Sequence, residues 1–229
     1  MLKSSDLTQE IRCVKSESEL EVMRRANLIA SESFISTMKF TRPGLMEKSL
    51  EARLEYECKL RGAQGLSFVP VVAGGNNATI IHYTRNDSPL HDGDLVLIDG
   101  GADLDNYVSD IARSYPINGK YSIAQAKLYN AVLKTQIECI KEASKPGMSL
   151  DDLHLLSEAV LYEEIRKIGI NIPFEALSDV YNHHVGHYLG MDVHDVFSVS
   201  RSIPLQPGNV ITIEPGIYIS ELNNNFPME

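Results

Sequence analysis

LHDGDLVLIDGG, residues 90–101, returns later in the chain as LQPGNVITIEPG, residues 205–216. Both stretches read Leu-x-x-Gly, one polar residue, four strand residues, then an acid and a turn. A second pair of echoes precedes them. TRPGLMEKSLEARLEYECKLRG (41–62) is answered by SKPGMSLDDLHLLSEAVLYEEIRKIG (144–169), each a Pro-Gly turn followed by an amphipathic helix that stops at glycine. A duplicated α/β unit brings equivalent strands together about a pseudo-twofold axis, which puts Asp99 and Glu214 in equivalent positions. Acids that end a strand are common turn chemistry, so neither residue marks a site by itself.

The rest of the chain fits around these repeats. Ser16 and Glu19 form a possible capping box. After them Leu20, Met23, Asn27, Ala30, Phe34 and Met38 trace one face of a long helix, interrupted only by Asn27. Short runs of strand character follow at 67–72 (SFVPVV), 79–83 (TIIHY), 94–101 (DLVLIDGG) and 107–115 (YVSDIARSY), with Gly- and Asn-rich turns between them. Two more helices are expected at about 122–143 and about 150–168, the second opened by a Ser149-to-Asp152 cap. We divide the chain into an N-terminal tail, 1–14, and a single domain, 15–229.

Composition removes several function classes. Of 229 residues 43% are hydrophobic, enough for a sizeable core, and the net charge of −10 comes with no basic run, which argues against nucleic acid as a partner. The three cysteines, Cys13, Cys58 and Cys139, are scattered and odd in number, which fits reduced thiols rather than a disulfide framework. No apolar run approaches the roughly 20 residues of a membrane span, and the first residues lack the character of a signal or transit segment. A cytoplasmic location is the expectation, with a mitochondrial one as the alternative.

Acids and histidines then point to a metal. Asp110 lies within the strand pattern YVSDIARSY, where an aspartate is disfavoured and costly to bury unpaired. A hairpin from Asp99 to Asp110 sets two carboxylates side by side, and these repel unless a proton or cation lies between them. HHVGHYLGMDVHD (183–195) holds four of the seven histidines. The four-residue spacing of His183 and His187 resembles a zincin helix. However, position 184 is His rather than Glu, and Gly186 and Gly190 disfavour a regular helix. His154, inside a helix, reads as an ordinary core or surface histidine. With Asp99, Asp110, Glu214 and His187 as donors, harder ions such as Mn²⁺ are favoured, with Co²⁺, Fe²⁺ or Zn²⁺ as alternatives.

In combination and order, IIHYTRND (80–87), VLIDGGADLDNYVSDIARSYP (96–116), HHVGHYLGMDVHD (183–195) and ITIEPGIYI (211–219) resemble the pita-bread metallopeptidases, in particular the Xaa-Pro aminopeptidase (aminopeptidase P) branch. The resemblance spans roughly residues 12 to 219. It implies an α/β (α+β) fold of the creatinase/aminopeptidase type, with two pseudo-twofold related halves around a curved, mainly antiparallel sheet. It also implies two divalent metal ions held by two aspartates, one histidine and two glutamates. Asp99 would ligate one metal, Asp110 would bridge both, His187 would be the nitrogen ligand, and Glu214 would be a ligand beside the attacking water. His82, His183 and His194 match the family's substrate-side histidines, and His184 matches no functional position.

The implied substrates are peptides with proline second, cleaved at the N-terminal Xaa-Pro bond, and the full-length protein would be a homodimer. The family's last ligand is a glutamate in a strand after Glu214. The internal repeat places that partner of Asp110 at or beyond about residue 225. The chain supplies only Glu221, which reads as an exposed loop residue, and Glu229 at the terminus. The expectation is therefore a catalytic domain incomplete at its C-terminus and lacking the family's N-terminal domain. Two rival readings follow: an Xaa-Pro dipeptidase (prolidase), and a non-catalytic pita-bread binding module with a crippled metal site.

Overall fold

The structure, a computed structural model, describes residues 4–219. Along the chain run α1 (Ser4–Cys13), α2 (Glu17–Phe40), α3 (Glu47–Leu60), β1 (Gly65–Leu66), β2 (Val71–Gly74), β3 (Leu95–Gly100), β4 (Ala102–Leu104), β5 (Tyr107–Val108), β6 (Ile111–Pro116), α4 (Ile123–Ala143) and α5 (Leu150–Lys167). They fall into two compact units. One comprises Lys15–Tyr121 with Leu189–Val196; the other comprises the segment up to Val14, Ser122–Tyr188 and the chain from Phe197 onward. No helix among the described residues is long and apolar enough to cross a membrane.

In the first unit two three-stranded antiparallel sheets, ordered β2-β3-β6 and β1-β4-β5, form beside α2 and α3. The expected capping box starts α2: Ser16 N–H donates to Glu19 Oε2 at 2.7 Å, and Glu19 N–H donates back to Ser16 Oγ at 3.4 Å. The stripe read from the sequence is buried at Met23, Ala30 and Phe34, and the core adds Leu50, Leu54 and Cys58 of α3 against Val72, Val96 and Ile98. Asn27 stays within the helix by donating its side-chain amide to the Met23 carbonyl at 2.9 Å.

In the second unit α4 and α5 each begin with a formed capping box, Ser122 with Gln125 and Ser149 with Asp152. Their apolar faces enclose Ala131, Leu161, Ile165, Leu177 and Tyr181. Cys139, Leu153 and Val185 form a neighbouring cluster. All three cysteines are buried, and none is in a disulfide among the described residues.

The duplication read from the sequence is visible in the backbone. Leu90 N–H donates to the Leu45 carbonyl at 2.8 Å, and at the repeat-equivalent positions Leu205 N–H donates to the Met148 carbonyl at 2.7 Å. Gly93 and Gly208, which open the two repeated strand segments, have φ of +87° and +94°. Residues with a Cβ adopt that region only with strain, so each repeat spends a glycine there.

Several expected elements differ. The 1–14 segment, expected as a tail, carries α1. Gln9 and Cys13, four residues apart and on one helix face, are buried; Ser198 donates its N–H to Gln9 Oε1 at 2.7 Å, and Asn209 Nδ2 donates to the Cys13 carbonyl at 2.9 Å. TIIHY is not a strand. A 3-10 helix over Gly75–Thr79 and a turn replace it, because the local bonds Ile80 N–H to Asn77 O and Tyr83 N–H to Ile80 O satisfy the backbone instead.

Of SFVPVV only Val71 and Val72 are in a strand, the start of β2; Pro70 just before them has no N–H to give a ladder. YVSDIARSY splits into β5 and β6, so Asp110 lies in the break between two strands and not in mid-strand. The break follows from the close approach of Gly101 to Ser109, where an added Cβ would meet the Ser109 carbonyl oxygen at 1.7 Å. No strand is assigned to 209–214. Among the described residues, pairing there consists of a Tyr188–Ile211 bridge and the bonds Thr212 N–H to His187 O and Glu214 N–H to Val185 O, and Pro215 then removes the next donor.

A prediction tests the repeat. Nothing crowds a Cβ at Gly93, and both Gly93 and Gly208 have φ near +90°, so backbone strain is the cost expected of Ala. Gly93→Ala and Gly208→Ala should each destabilise by about 1 kcal/mol, by matching amounts, in denaturant titrations. Unequal losses would show that the two turns are not equivalent.

Candidate metal centre

In the first unit Asp99 lies near the end of β3, paired with Val71 of β2 on one side and Ala112 of β6 on the other. Val96 and Ile98 turn into the core, so by strand alternation Asp99 faces the opposite side of the sheet, half-buried. Extending the β3–β6 register one step places Asp110 opposite Gly101, diagonal to Asp99 and on the same face. Asp110 is also half-buried. The hairpin thus delivers two carboxylates to one face, as expected, though through a break in the strand.

His82 and His194 are both exposed and both belong to this unit. His194 is carried on Leu189–Val196, a segment held by a buried ion pair between Lys15 Nζ and Asp195 Oδ2 at 3.1 Å, each side chain 1% exposed. Gly190 lets this carboxylate close in, since a Cβ there would come within 2.1 Å of Asp195 Oδ2. Val108 N–H donates to the Gly190 carbonyl at 2.9 Å and ties the segment to β5.

In the second unit the residues 185–188 run antiparallel to 211–214 and bring His187 to Glu214, with Nε2 3.2 Å from Oε1. The other ring nitrogen, Nδ1, lies 3.0 Å from the Tyr188 carbonyl. A carbonyl only accepts, so Nδ1 carries a proton, and Nε2 of the neutral ring presents a lone pair to a carboxylate. Two acceptors do not approach to 3.2 Å without a positive charge between them. Either a proton on Nε2 or a cation meets that need, and a carbonyl-anchored imidazole next to a carboxylate is the arrangement metal ligation uses.

Thr212 organises the pair. Its hydroxyl donates to Glu214 Oε1 at 2.8 Å and accepts the His187 backbone N–H at 2.9 Å. Gly186 permits this, because a Cβ at that position would strike the Thr212 carbonyl oxygen at 2.0 Å. Burial pushes the Glu214 carboxyl up, but the hydrogen bond and charge of His187, then the Thr212 hydroxyl, outweigh it and hold the group below the usual carboxylate range.

His183 is anchored in the same manner as His187, with Nδ1 2.8 Å from the His184 carbonyl. Its Nε2 lies 3.0 Å from the Tyr218 hydroxyl, which therefore donates to it. His184 packs edge-on against His154 with ring centroids 4.8 Å apart, and His154 packs in turn against Tyr181. Burial pulls both imidazoles below their ordinary pKa. Thr212 and Tyr218 were missed by sequence reasoning. Their signal was present: Thr212, Glu214 and Tyr218 share even spacing in ITIEPGIYI, which is compatible with one face of an extended segment. Glu221 and Glu229 lie outside the described residues.

Comparison with known proteins agrees with this donor chemistry. The model of metallopeptidase family M24 matches residues 21–226. Xaa-Pro aminopeptidase 3 of Mus musculus is 45% identical over 226 residues, covering 96% of this chain and 44% of that protein. The mitochondrial intermediate cleaving peptidase 55 of Arabidopsis thaliana is 47% identical over 215 residues, covering 94% and 43%. Among solved structures, Icp55 from Saccharomyces cerevisiae superposes with a TM-score of 0.91 at 41% identity, over 98% of this chain and 57% of that one. Escherichia coli aminopeptidase P bound to substrate superposes with a TM-score of 0.93 at 33% identity, over 99% and 53%. The chain thus spans about half the length of the relatives it matches. A family model that takes in Asp99, Asp110, His187 and Glu214 together, and solved folds that follow nearly the whole described backbone, lead to one assignment: the chain belongs to metallopeptidase family M24 and has its pita-bread fold.

Proposed function

We propose that the protein containing this chain is a metal-dependent aminopeptidase that hydrolyses the N-terminal Xaa-Pro bond of peptides. Asp99, Asp110, His187 and Glu214 are its metal donors in this reading. The observation that carries it is the carbonyl-anchored imidazole of His187 facing the Glu214 carboxylate at 3.2 Å, in a chain of family M24. Two divalent ions fit the donors. Three carboxylates and one imidazole favour Mn²⁺ over a thiolate-type zinc site.

When bound, the ions supply Lewis acidity, lowering the pKa of a water and polarising the scissile carbonyl. The side chains do the rest. Glu214, held ionised by His187 and Thr212, accepts a proton from the attacking water and passes it to the departing proline nitrogen. That nitrogen is a tertiary amide with no hydrogen of its own, so this delivery is required for it to leave as an amine. His194 and His82, exposed on the first unit, donate to the developing oxyanion. His183, its ring set by the His184 carbonyl and the Tyr218 hydroxyl, lines the substrate side.

The names of the relatives favour an aminopeptidase over a dipeptidase, and the Arabidopsis relative's name favours the mitochondrial alternative for the compartment. The full-length protein is read as a homodimer.

The direct test is hydrolysis of an Xaa-Pro-Yaa tripeptide beside an Xaa-Pro dipeptide, with Mn²⁺, by the full-length protein. Cleavage of the tripeptide is expected, and cleavage of the dipeptide alone would make the protein a prolidase. In the same assay Asp110→Asn should abolish metal-dependent turnover, since a neutral amide would hold a cation less well than a carboxylate. His194→Ala should keep its metal and lose on the order of 10²-fold in kcat. Metal loss in the His194 variant would contradict its substrate-side role.

A second prediction concerns protons. Without a cation the lone pair of His187 Nε2 must be protonated to face Glu214, so Mn²⁺ displaces that proton on binding. Calorimetric titrations in buffers of different ionisation enthalpy should therefore give different apparent enthalpies. The dependence should weaken in His187→Ala; heats independent of buffer would rule out the protonated pair.

A further inference from the structure

We propose that Glu47, at the first turn of α3, is a positioning residue for His82, holding the 74–88 loop in the conformation that presents the imidazole. This rests on the reading above, in which His82 serves the substrate.

Glu47 is fully buried, which is unusual for a carboxylate and costly unless every lone pair is engaged. Each of its oxygens accepts two bonds. Gly74 N–H at 2.8 Å and Asn77 Nδ2 at 3.0 Å donate to Oε1. The Tyr83 hydroxyl at 2.8 Å and Ser88 N–H at 2.9 Å donate to Oε2. All four donors lie on the segment that contains His82, and the helix's own N-cap residue, Met46, makes no side-chain cap. The carboxylate is thus directed at the loop and not at its helix. Every partner is a donor, as the ionised form requires. Burial raises the Tyr83 phenol, and its bond to Glu47 adds to this, so that it stays a donor.

A second clamp closes the far side. Asn86, fully buried at φ +48°, accepts Val72 N–H at 2.9 Å and donates to the Pro70 carbonyl at 2.9 Å and to Glu51 Oε2 at 3.0 Å. Between these clamps His82 sits at φ +56°, a strained conformation for a residue with a Cβ. Such strain persists only where the surroundings over-determine the backbone. No side-chain hydrogen bond to the His82 ring is seen among the described residues, so its direction comes from the backbone that Glu47 and Asn86 hold. The ring lines an open cavity of about 350 Å³ together with Asn77, Ile80, Tyr83 and Arg85.

The test uses the full-length enzyme with Mn²⁺, comparing Glu47→Gln and Tyr83→Phe in the unmodified and His82→Ala backgrounds. A glutamine amide cannot accept from Ser88 N–H and Tyr83 at its nitrogen end, so Glu47→Gln should lower kcat on the order of 10²-fold with metal content and KM unchanged. In the His82→Ala background it should add no further loss. An equal loss in both backgrounds would overturn the proposal, because a merely structural defect does not depend on His82.

Tyr83→Phe removes one bond of the four and carries the same comparison, with a smaller drop, if Glu47→Gln does not fold. Hydrogen exchange over 74–88 reads the loop without turnover. Faster exchange confined to that segment supports the proposal, and unchanged exchange in both variants overturns it. If the unmodified enzyme does not cleave Xaa-Pro peptides, the proposed function falls while the exchange measurement still decides whether Glu47 holds the loop.

Discussion

Each half of the chain is built on a short backbone clasp. In the first unit the residue after the Pro-Gly turn, Leu45, accepts the N–H of Leu90, and in the second Met148 accepts the N–H of Leu205. The clasp joins the start of a helix to the start of the segment that carries Asp99 or Glu214, three residues before Gly93 or Gly208. Sequence separation makes these contacts entropically expensive, so they need the apolar faces of α3 and α5 to be buried in the same step. Leu50, Leu54 and Leu90 in one unit, and Leu150 and Leu153 in the other, are all at most 1% exposed. Asp99 and Glu214 inherit their positions from this arrangement.

The polar groups at the site are placed by backbone carbonyls and hydroxyls more than by other charges. His183 and His187 both rest Nδ1 on the carbonyl of the following residue, which selects one tautomer and aims Nε2 outward. Thr212 links the His187 backbone to the Glu214 carboxylate. Glu47 and Asn86 treat the His82 loop in the same way. Hydrogen bonds of this kind set orientation to within their own tolerance. The single buried ion pair at the His194 segment, Lys15 with Asp195, is the exception, and a cation fully removed from water there would be costly without its partner.

Much of this was legible beforehand for identifiable reasons. Periodicity found the four long helices within about two residues, helped at α2 and α5 by the caps at Ser16 and Ser149, which are local chemistry. The proposed donors Asp99, Asp110, His187 and Glu214 stood out as acids and a histidine in strand- or glycine-punctuated contexts, and their order resembled one family. Reading failed where local pattern and tertiary demand disagreed. TIIHY has strand composition, yet Glu47, more than thirty residues away, pulls its neighbours into a 3-10 turn. Tyr218 and Thr212 were passed over because a hydroxyl in a strand is ordinary until its partner is known.

The sequence by itself determined the duplication, the helices, the candidate acids and histidines and the family, since each depends on spacing along the chain or on the chemistry of single side chains. Only the tertiary structure decided that Asp110 sits in a strand break, that Thr212 bridges His187 and Glu214, and that a buried Glu47 carries the His82 loop. Those facts depend on which distant backbone groups come within 3 Å of one another. Spacing in one dimension does not encode that distance.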